Sequence, residues 1–239
     1  DAGLYYIQEA SAMLPASLCP PQSGERMLDL CAAPGGKTTQ LATAMKGIGL
    51  LVANEIHAGR AAILSQNVER MGLAHTVVTN ESPASLAERF PSFFDKIVVD
   101  APCSGEGMFR KNEEAITEWS EENVKMCAER QMEILQNCAR NVSPDGYLLY
   151  STCTFSLEEN EMSVDAFLEA HPEFSVCEVK DSVKAVTAPG IPFANAKHPD
   201  ALCKARRFYP HLHAGEGQFM CLLKKGEGSD TPSFRYQEA

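Results

Sequence analysis

Two cysteines stand where a thiol could do chemistry. Cys103 lies in VVDAPCSGEGMFRK (98–111) and Cys153 in YSTCTFSLEENE (150–161). Each comes directly after an apolar run that reads as a buried strand, FDKIVVD (94–100) and YLLYSTC (147–153). A thiol packed in a core is an inert small hydrophobe, and with nine cysteines in the chain most are expected to be that. A thiol at the ligand edge of a sheet can be activated by its surroundings. Asp100 ends the first of these strands, and Pro102 stiffens the loop leading to Cys103.

A third stretch, LDLCAAPGGKTTQLA (28–42), invites a nucleotide reading. Gly36, Lys37 and Thr38 match the end of a triphosphate loop. The glycine that should open that loop is Cys31, however, and Pro34 has no N–H to turn toward phosphate. The turn still lies after one apolar run and before a helical one, where doubly wound folds bind ligands. Gly35 and Gly36 allow close approach of backbone to ligand. Asp29, Glu55 and Asp100 each fall at or near a strand end, and an acid there commonly accepts from ribose hydroxyls. A lone acid would read as a helix cap or salt-bridge partner. Three beside a Gly-rich turn favour a nucleoside carrying no triphosphate, and S-adenosyl-L-methionine fits.

These groups need a scaffold that presents several strand ends on one edge. Apolar runs alternate with longer amphipathic segments, which points to an α/β fold with a mostly parallel sheet. Strands are expected at 26–31, 49–55, 75–80, 94–100 and 147–153, then at 174–179 and 217–225. Helices are expected at 37–45, 57–71, 120–142 and 157–169, with a turn at 143–147. Residues 180–216 read as a long irregular segment rich in Pro, Lys, Arg and His, a length that is usually functional or mobile.

The chain has 239 residues, enough for one sizeable core. No run is apolar and long enough to span a membrane, and no basic-then-apolar leader opens it. No C-x-x-C pair occurs, so no metal site is expected. Reduced thiols in the cytoplasm are the plain reading. The net charge of -11 argues against a surface that binds nucleic acid everywhere, but not against a local basic groove.

CAAPGGKT, DAPCSGEG and STCT, in this order, resemble the Nop/Sun family of RNA (cytosine-5) methyltransferases. The likeness is greatest to its bacterial members that modify ribosomal RNA, of the 16S ribosomal RNA methyltransferase F type. It runs from YYIQEASAM to RFYPHLHAGEGQF, nearly the whole chain. The resemblance implies a Rossmann-like S-adenosylmethionine-dependent methyltransferase fold, doubly wound and mostly parallel, with an antiparallel last strand. It implies Cys153 as the thiol that attacks carbon 6 of cytosine and Cys103 as the thiol that assists product release. Asp100 would meet the base near its nitrogen 3 and amino edge, and Lys37 would lie close to both ligands. The cofactor would be held by Cys31, Ala32, Ala33, Pro34, Gly35, Gly36 and Lys37, with Glu55, Arg60, Asp100 and Pro102. Where the family usually has a further Asp, this chain reads TNESP (79–83), leaving Asn80, Glu81 or Ser82 to meet the adenine.

The resemblance also implies RNA as partner, ribosomal RNA or a ribosomal subunit, bound by a monomer. Arg110 and Lys111, with Lys204, Arg206, Arg207 and His211, are the expected phosphate contacts; Lys197 and His213 belong to the same cluster, and Phe208 and Tyr209 could stack on bases. Residues 1–225 are expected to form the catalytic core and 226–239 a linker or tail toward a further C-terminal domain. The family's N-terminal RNA-binding portion has no counterpart here. Two other readings compete: a methyltransferase with a non-RNA substrate, and a non-catalytic S-adenosylmethionine-binding scaffold. Transfer to oxygen or nitrogen needs no thiol adduct, and the intact DAPC and STC stretches disfavour both.

Overall fold

The computed structural model describes residues 3–227. Its elements run α1 (Ala10–Leu18), β1 (Arg26–Asp29), α2 (Gly36–Met45), β2 (Leu50–Asn54), α3 (Ala58–Arg70), β3 (Thr76–Thr79), α4 (Pro83–Arg89) and β4 (Phe94–Asp100). A 3-10 turn (Glu106–Met108) precedes α5 (Glu113–Glu118), α6 (Glu121–Asn141), β5 (Val142–Thr152), α7 (Glu161–Ala170) and β6 (Phe174–Val176). Last come α8 (Asp181–Lys184), β7 (Ala188–Pro189), α9 (Pro199–Leu202), β8 (Arg206–Phe208) and β9 (Gln218–Lys225).

One sheet has the order β3-β2-β1-β4-β5-β9-β8-β7, and β6 also pairs with β9. The pairs among β1 to β5 are parallel; β9 is antiparallel to β5. This is the Rossmann-like arrangement expected, including the antiparallel last strand. Neighbouring residues of the central strands face opposite sides, as a pleat requires. Leu28, Val52, Ile97 and Leu148 pack with Ile134, Leu135 and Phe167 of α6 and α7. Met27, Leu51, Val98 and Leu149 pack instead with Ala16, Leu41 and Met45 of α1 and α2. Each such leucine, fully buried, contributes about 2 kcal/mol from area removed from water. Helices on both faces explain why these strands are apolar throughout rather than alternating.

Parallel pairing brings the carboxyl ends of all five strands to one edge. The connections leaving that edge hold Cys31–Gly35, Glu55–His57, Asn80–Ser82, Ala101–Gly105 and Cys153–Ser156. The expected turn at 143–147 is a register break: Phe94 pairs with Val142, then Lys96 with Tyr147, and the residues between bulge out. Residues 180–216 are not irregular throughout. They contain α8, β7, α9 and β8, too short to leave a periodic trace in the sequence. The segments α1, α4 and α5 were likewise not anticipated. The proposed tail falls mostly at 228–239, outside the described residues.

Candidate active site

The turn after β1 is held from behind. Gly35 takes φ +114° as the N-cap of α2, a left-handed conformation that side chains other than hydrogen rarely adopt. The carbonyls of Ala33 and Pro34 accept from Arg60 Nη2 (2.9 Å) and Asn67 Nδ2 (2.8 Å). Asp29 does not reach the surface. It is fully buried, and its Oδ2 accepts from Thr38 Oγ1 at 2.7 Å, tying β1 to the first turn of α2. Burial pushes its carboxyl up to about 6, against the pull of Thr38 and Lys37. It is therefore an internal tie between β1 and α2, neither a ligand contact nor a helix cap, since no side chain caps α2.

Glu55 is 2% exposed and accepts from the N–H of His57 at 3.0 Å, with Arg60 at 3.5 Å. Beside it, Asn80 donates to the carbonyls of Glu55 and Ile56. Glu81 accepts from Ser85 Oγ, and Ser82 Oγ caps α4 by accepting from the N–H of Ser85 at 3.2 Å. So each of the three candidates for the adenine position already has a protein partner.

At the centre, Lys37 Nζ meets Asp100 Oδ2 at 2.7 Å, and Ser151 Oγ donates to Asp100 Oδ1 at 2.8 Å. Burial works against the charge of Lys37, but Asp100 outweighs it and holds the ammonium above its ordinary range. A cavity of about 350 Å³ opens here, lined by Cys31–Pro34, Gly36, Lys37 and Asp100. Its other walls come from Gln8 and Glu9 before α1, from Met108 and Lys111, and from Glu216 and Gln218. A methyl group on Gly36 would sit 3.0 Å from Gln8 Nε2 and narrow this cradle.

Cys103 and Cys153 meet across the gap between β4 and β5. Their sulfurs are 3.2 Å apart, both are free thiols, and the Cys153 N–H donates to Cys103 Sγ at 3.3 Å. The Cys103 thiol is pushed well above its usual range, first by its hydrogen bond with Cys153 and then by removal from water.

A buried polar network fixes both loops. Glu159, fully buried, accepts from the Ser104 N–H (3.0 Å) and from Gln131 Nε2 (2.8 Å). Gln131 also donates to the Pro102 carbonyl, and Tyr150 donates to Gln131 Oε1 and the Glu159 carbonyl. Glu106 accepts from Thr154 Oγ1, the Phe155 N–H and Trp119 Nε1. The Gly107 N–H donates to the Cys153 carbonyl at 2.9 Å. A Cβ on Gly107 would lie 2.8 Å from that carbonyl and 2.7 Å from the Gly217 carbonyl, so nothing larger than hydrogen fits. Glu106, Gln131 and Glu159 were not foreseen. Glu106 and Glu159 lie within stretches quoted for their cysteines, but nothing in their spacing marks them as supports.

The basic cluster divides. Arg110, Lys111 and His211 are exposed, and Lys204 is half-buried. Arg206 and Arg207 are not available to RNA. Arg207 is 2% exposed, ion-paired with Glu161 and bonded to the Phe155 carbonyl. Arg206 donates to Thr187 and Lys184. Both lie in β8, where a buried guanidinium must be paired. Phe208 is buried as well, while Tyr209 stacks on Phe155 at 5.8 Å. Among the described residues no group of acids, cysteines and histidines could hold a metal, and no helix is long and apolar enough to cross a membrane.

The chain as a whole has known relatives. The family model described as 16S rRNA methyltransferase RsmB/F matches residues 16–224. The chain belongs to this family. It is similar to ribosomal RNA small subunit methyltransferase F of Erwinia tasmaniensis, 36% identical over 94% of the chain and 45% of that protein. It is equally similar, at 36% over 95% of the chain and 29% of the relative, to the mouse 28S rRNA (cytosine-C(5))-methyltransferase. Among solved structures, NSun6 from Pyrococcus horikoshii with SFG superposes with TM-score 0.79 at 27% identity, over 95% of the chain and 54% of that structure. A methyltransferase homolog from the same organism gives 0.78 at 31%, over 94% and 69%. The chain spans about half the length of the bacterial curated relatives it matches.

Proposed function

We propose that this site methylates carbon 5 of a cytosine in ribosomal RNA, with S-adenosyl-L-methionine as donor. The observation that carries the reading is the pair of thiols 3.2 Å apart, beside a cavity that Lys37, Asp100 and the Cys31–Gly36 turn share. The names of the relatives support the substrate class.

The residues fit the donor. The turn can take a ligand close to its backbone at Gly36, and Pro34 would be a liability only for phosphate. Glu55 and Asp100 offer acceptors at two strand ends. When bound, S-adenosylmethionine supplies an electrophilic methyl group.

Carbon 5 of cytosine is a poor nucleophile until carbon 6 is attacked. Cys153, as thiolate, would add to carbon 6 and make the ring an enamine. Asp100, held by Lys37 and Ser151, would accept from the amino group at the nitrogen 3 edge, and the Lys37 ammonium beside it would offset the negative charge that develops there. After methylation of carbon 5, the proton there must leave before the Cys153–carbon 6 bond can break. Cys103, as thiolate, would take that proton directly or through water as the sulfur of Cys153 leaves carbon 6. The target base must leave its stack to reach the thiols. Lys111 in the cavity wall, with exposed Arg110 and His211, suits phosphate contacts.

The test is a trapped adduct. Cys103→Ala protein is mixed with S-adenosylmethionine and ribosomal RNA and run on a denaturing gel. The expected result is a protein–RNA band that disappears in Cys103→Ala, Cys153→Ala. If no band forms while the wild type transfers labelled methyl to the same RNA, the two-thiol mechanism is wrong.

A further inference from the structure

The start of β9 forms one wall of the cavity, and that wall carries acceptors the protein leaves unsatisfied. Gln218 is 4% exposed, lines the cavity, and its Oε1 has no hydrogen-bond partner. Glu216 lines the same wall, and its Oε2 is also unpartnered. Leaving a buried acceptor without a donor is costly, and native proteins seldom do it without a reason. A ligand that brings an N–H or O–H to this wall removes the cost.

The register says what lies opposite. Thr152 pairs with Phe219 in the antiparallel β5–β9 ladder, so one step further sets Gln218 against Cys153. A base within reach of the Cys153 sulfur is therefore within reach of this wall. In a cytosine joined to ribose, the ring offers a single donor, the 4-amino group; uracil has an acceptor at that place. Asp100 already accepts from Lys37 and Ser151, one on each oxygen. The 4-amino group carries two N–H bonds, so one turned to Asp100 leaves the other in need of an acceptor.

We propose that Gln218 accepts a hydrogen bond from the 4-amino group of the target cytosine and so contributes to the choice of cytosine over uracil. This rests on the reading of the site as a cytosine methyltransferase. The role is separable from that of the thiols, because Gln218 reads the base and takes no part in bond making.

The experiment compares wild type with Gln218→Leu on two RNAs. One carries cytidine at the target position; the other carries the ribonucleoside of pyrimidin-2-one, which is cytidine without the amino group. The rate of thiol adduct formation is measured at limiting enzyme, with cofactor affinity and Tm alongside. Gln218→Leu should slow the cytidine reaction about tenfold and leave the pyrimidinone reaction within about twofold. Gln218→Glu, which keeps an acceptor, should recover most of the cytidine rate. Equal losses on both RNAs would make Gln218 structural and overturn the proposal. A loss confined to cofactor affinity would place the residue at the cofactor and overturn it too. A wild type inert on both RNAs would defeat the methyltransferase reading, and this one with it; an active wild type with an indifferent variant defeats this one alone.

Discussion

The two ends of the active edge are built differently. The thiol loops rest on fully buried groups: Glu159, Gln131 and Tyr150 behind Cys103, and Gly107 against the Cys153 carbonyl. At the far end Glu55 is buried, but Asn80 and Ser82 beside it are exposed and bond neighbouring backbone. Bond making needs atoms held to a fraction of an ångström, and a buried hydrogen-bonded network supplies that. Holding an adenosine needs matching shape and a few acceptors, which a more open edge can give.

The sharpest way to break this contrast is at the thiols. Cys153→Ala should lower methyl transfer by about 10⁴-fold or more, as loss of a nucleophile does. S-adenosylmethionine affinity by calorimetry should stay unchanged, because the turn after β1, the proposed cofactor site, is supported independently through Arg60 and Asn67. A variant that lost both would tie the two ends into one unit.

Next in size is the buried pair in β8. Arg207→Met leaves Glu161 buried and unpaired, and should cost about 3–5 kcal/mol in urea unfolding. Arg110→Ala, at an exposed cation, should change stability by less than about 0.5 kcal/mol and instead weaken RNA binding. Equal stability losses would mean that exposure does not separate these two arginines.

Asp29 tests the base of the cofactor turn. Its folded pKa of about 6 lies above the ordinary 3.8, so the folded protein holds this proton more tightly than the unfolded chain does. The stability it contributes is full below pH 3.8 and is lost as pH rises through 6. Asp29→Asn should therefore stabilise the protein above pH 6 by up to about 3 kcal/mol, at 1.36 kcal/mol per unit, and give nothing near pH 4. Unfolding midpoints measured from pH 4 to pH 8 check both sign and window.

The sequence made the parallel half legible because each of its strands is a short apolar run followed by a helix or a turn. The three motifs then fall at strand ends by topology alone. The β7–β9 region was harder to read. Arg206 and Arg207 look like a surface pair in a basic stretch, and only Glu161, far away in the chain, reveals that Arg207 points inward. The same holds for Glu159 and Gln131: a buried support is defined by partners distant in sequence. Glu216 and Gln218 lie in a motif-like stretch, yet the unpartnered oxygen that each carries is a property of the folded cavity.

Ser82 gives the smallest effect and the finest distinction. The resemblance implies an acid at this position, yet here Ser82 Oγ caps α4, with Pro83 in the first turn. A cap is worth about 1 kcal/mol, and aspartate caps as well as serine. Ser82→Ala should therefore lower stability by about 1 kcal/mol, and Ser82→Asp should restore it. If capping is the whole role, S-adenosylmethionine affinity stays level across all three proteins. If the position also faces adenine, whose amino group seeks an acceptor, affinity falls in Ser82→Ala while Ser82→Asp matches or exceeds the wild type. Calorimetry and thermal unfolding on the same samples separate the two, because a cap moves only Tm.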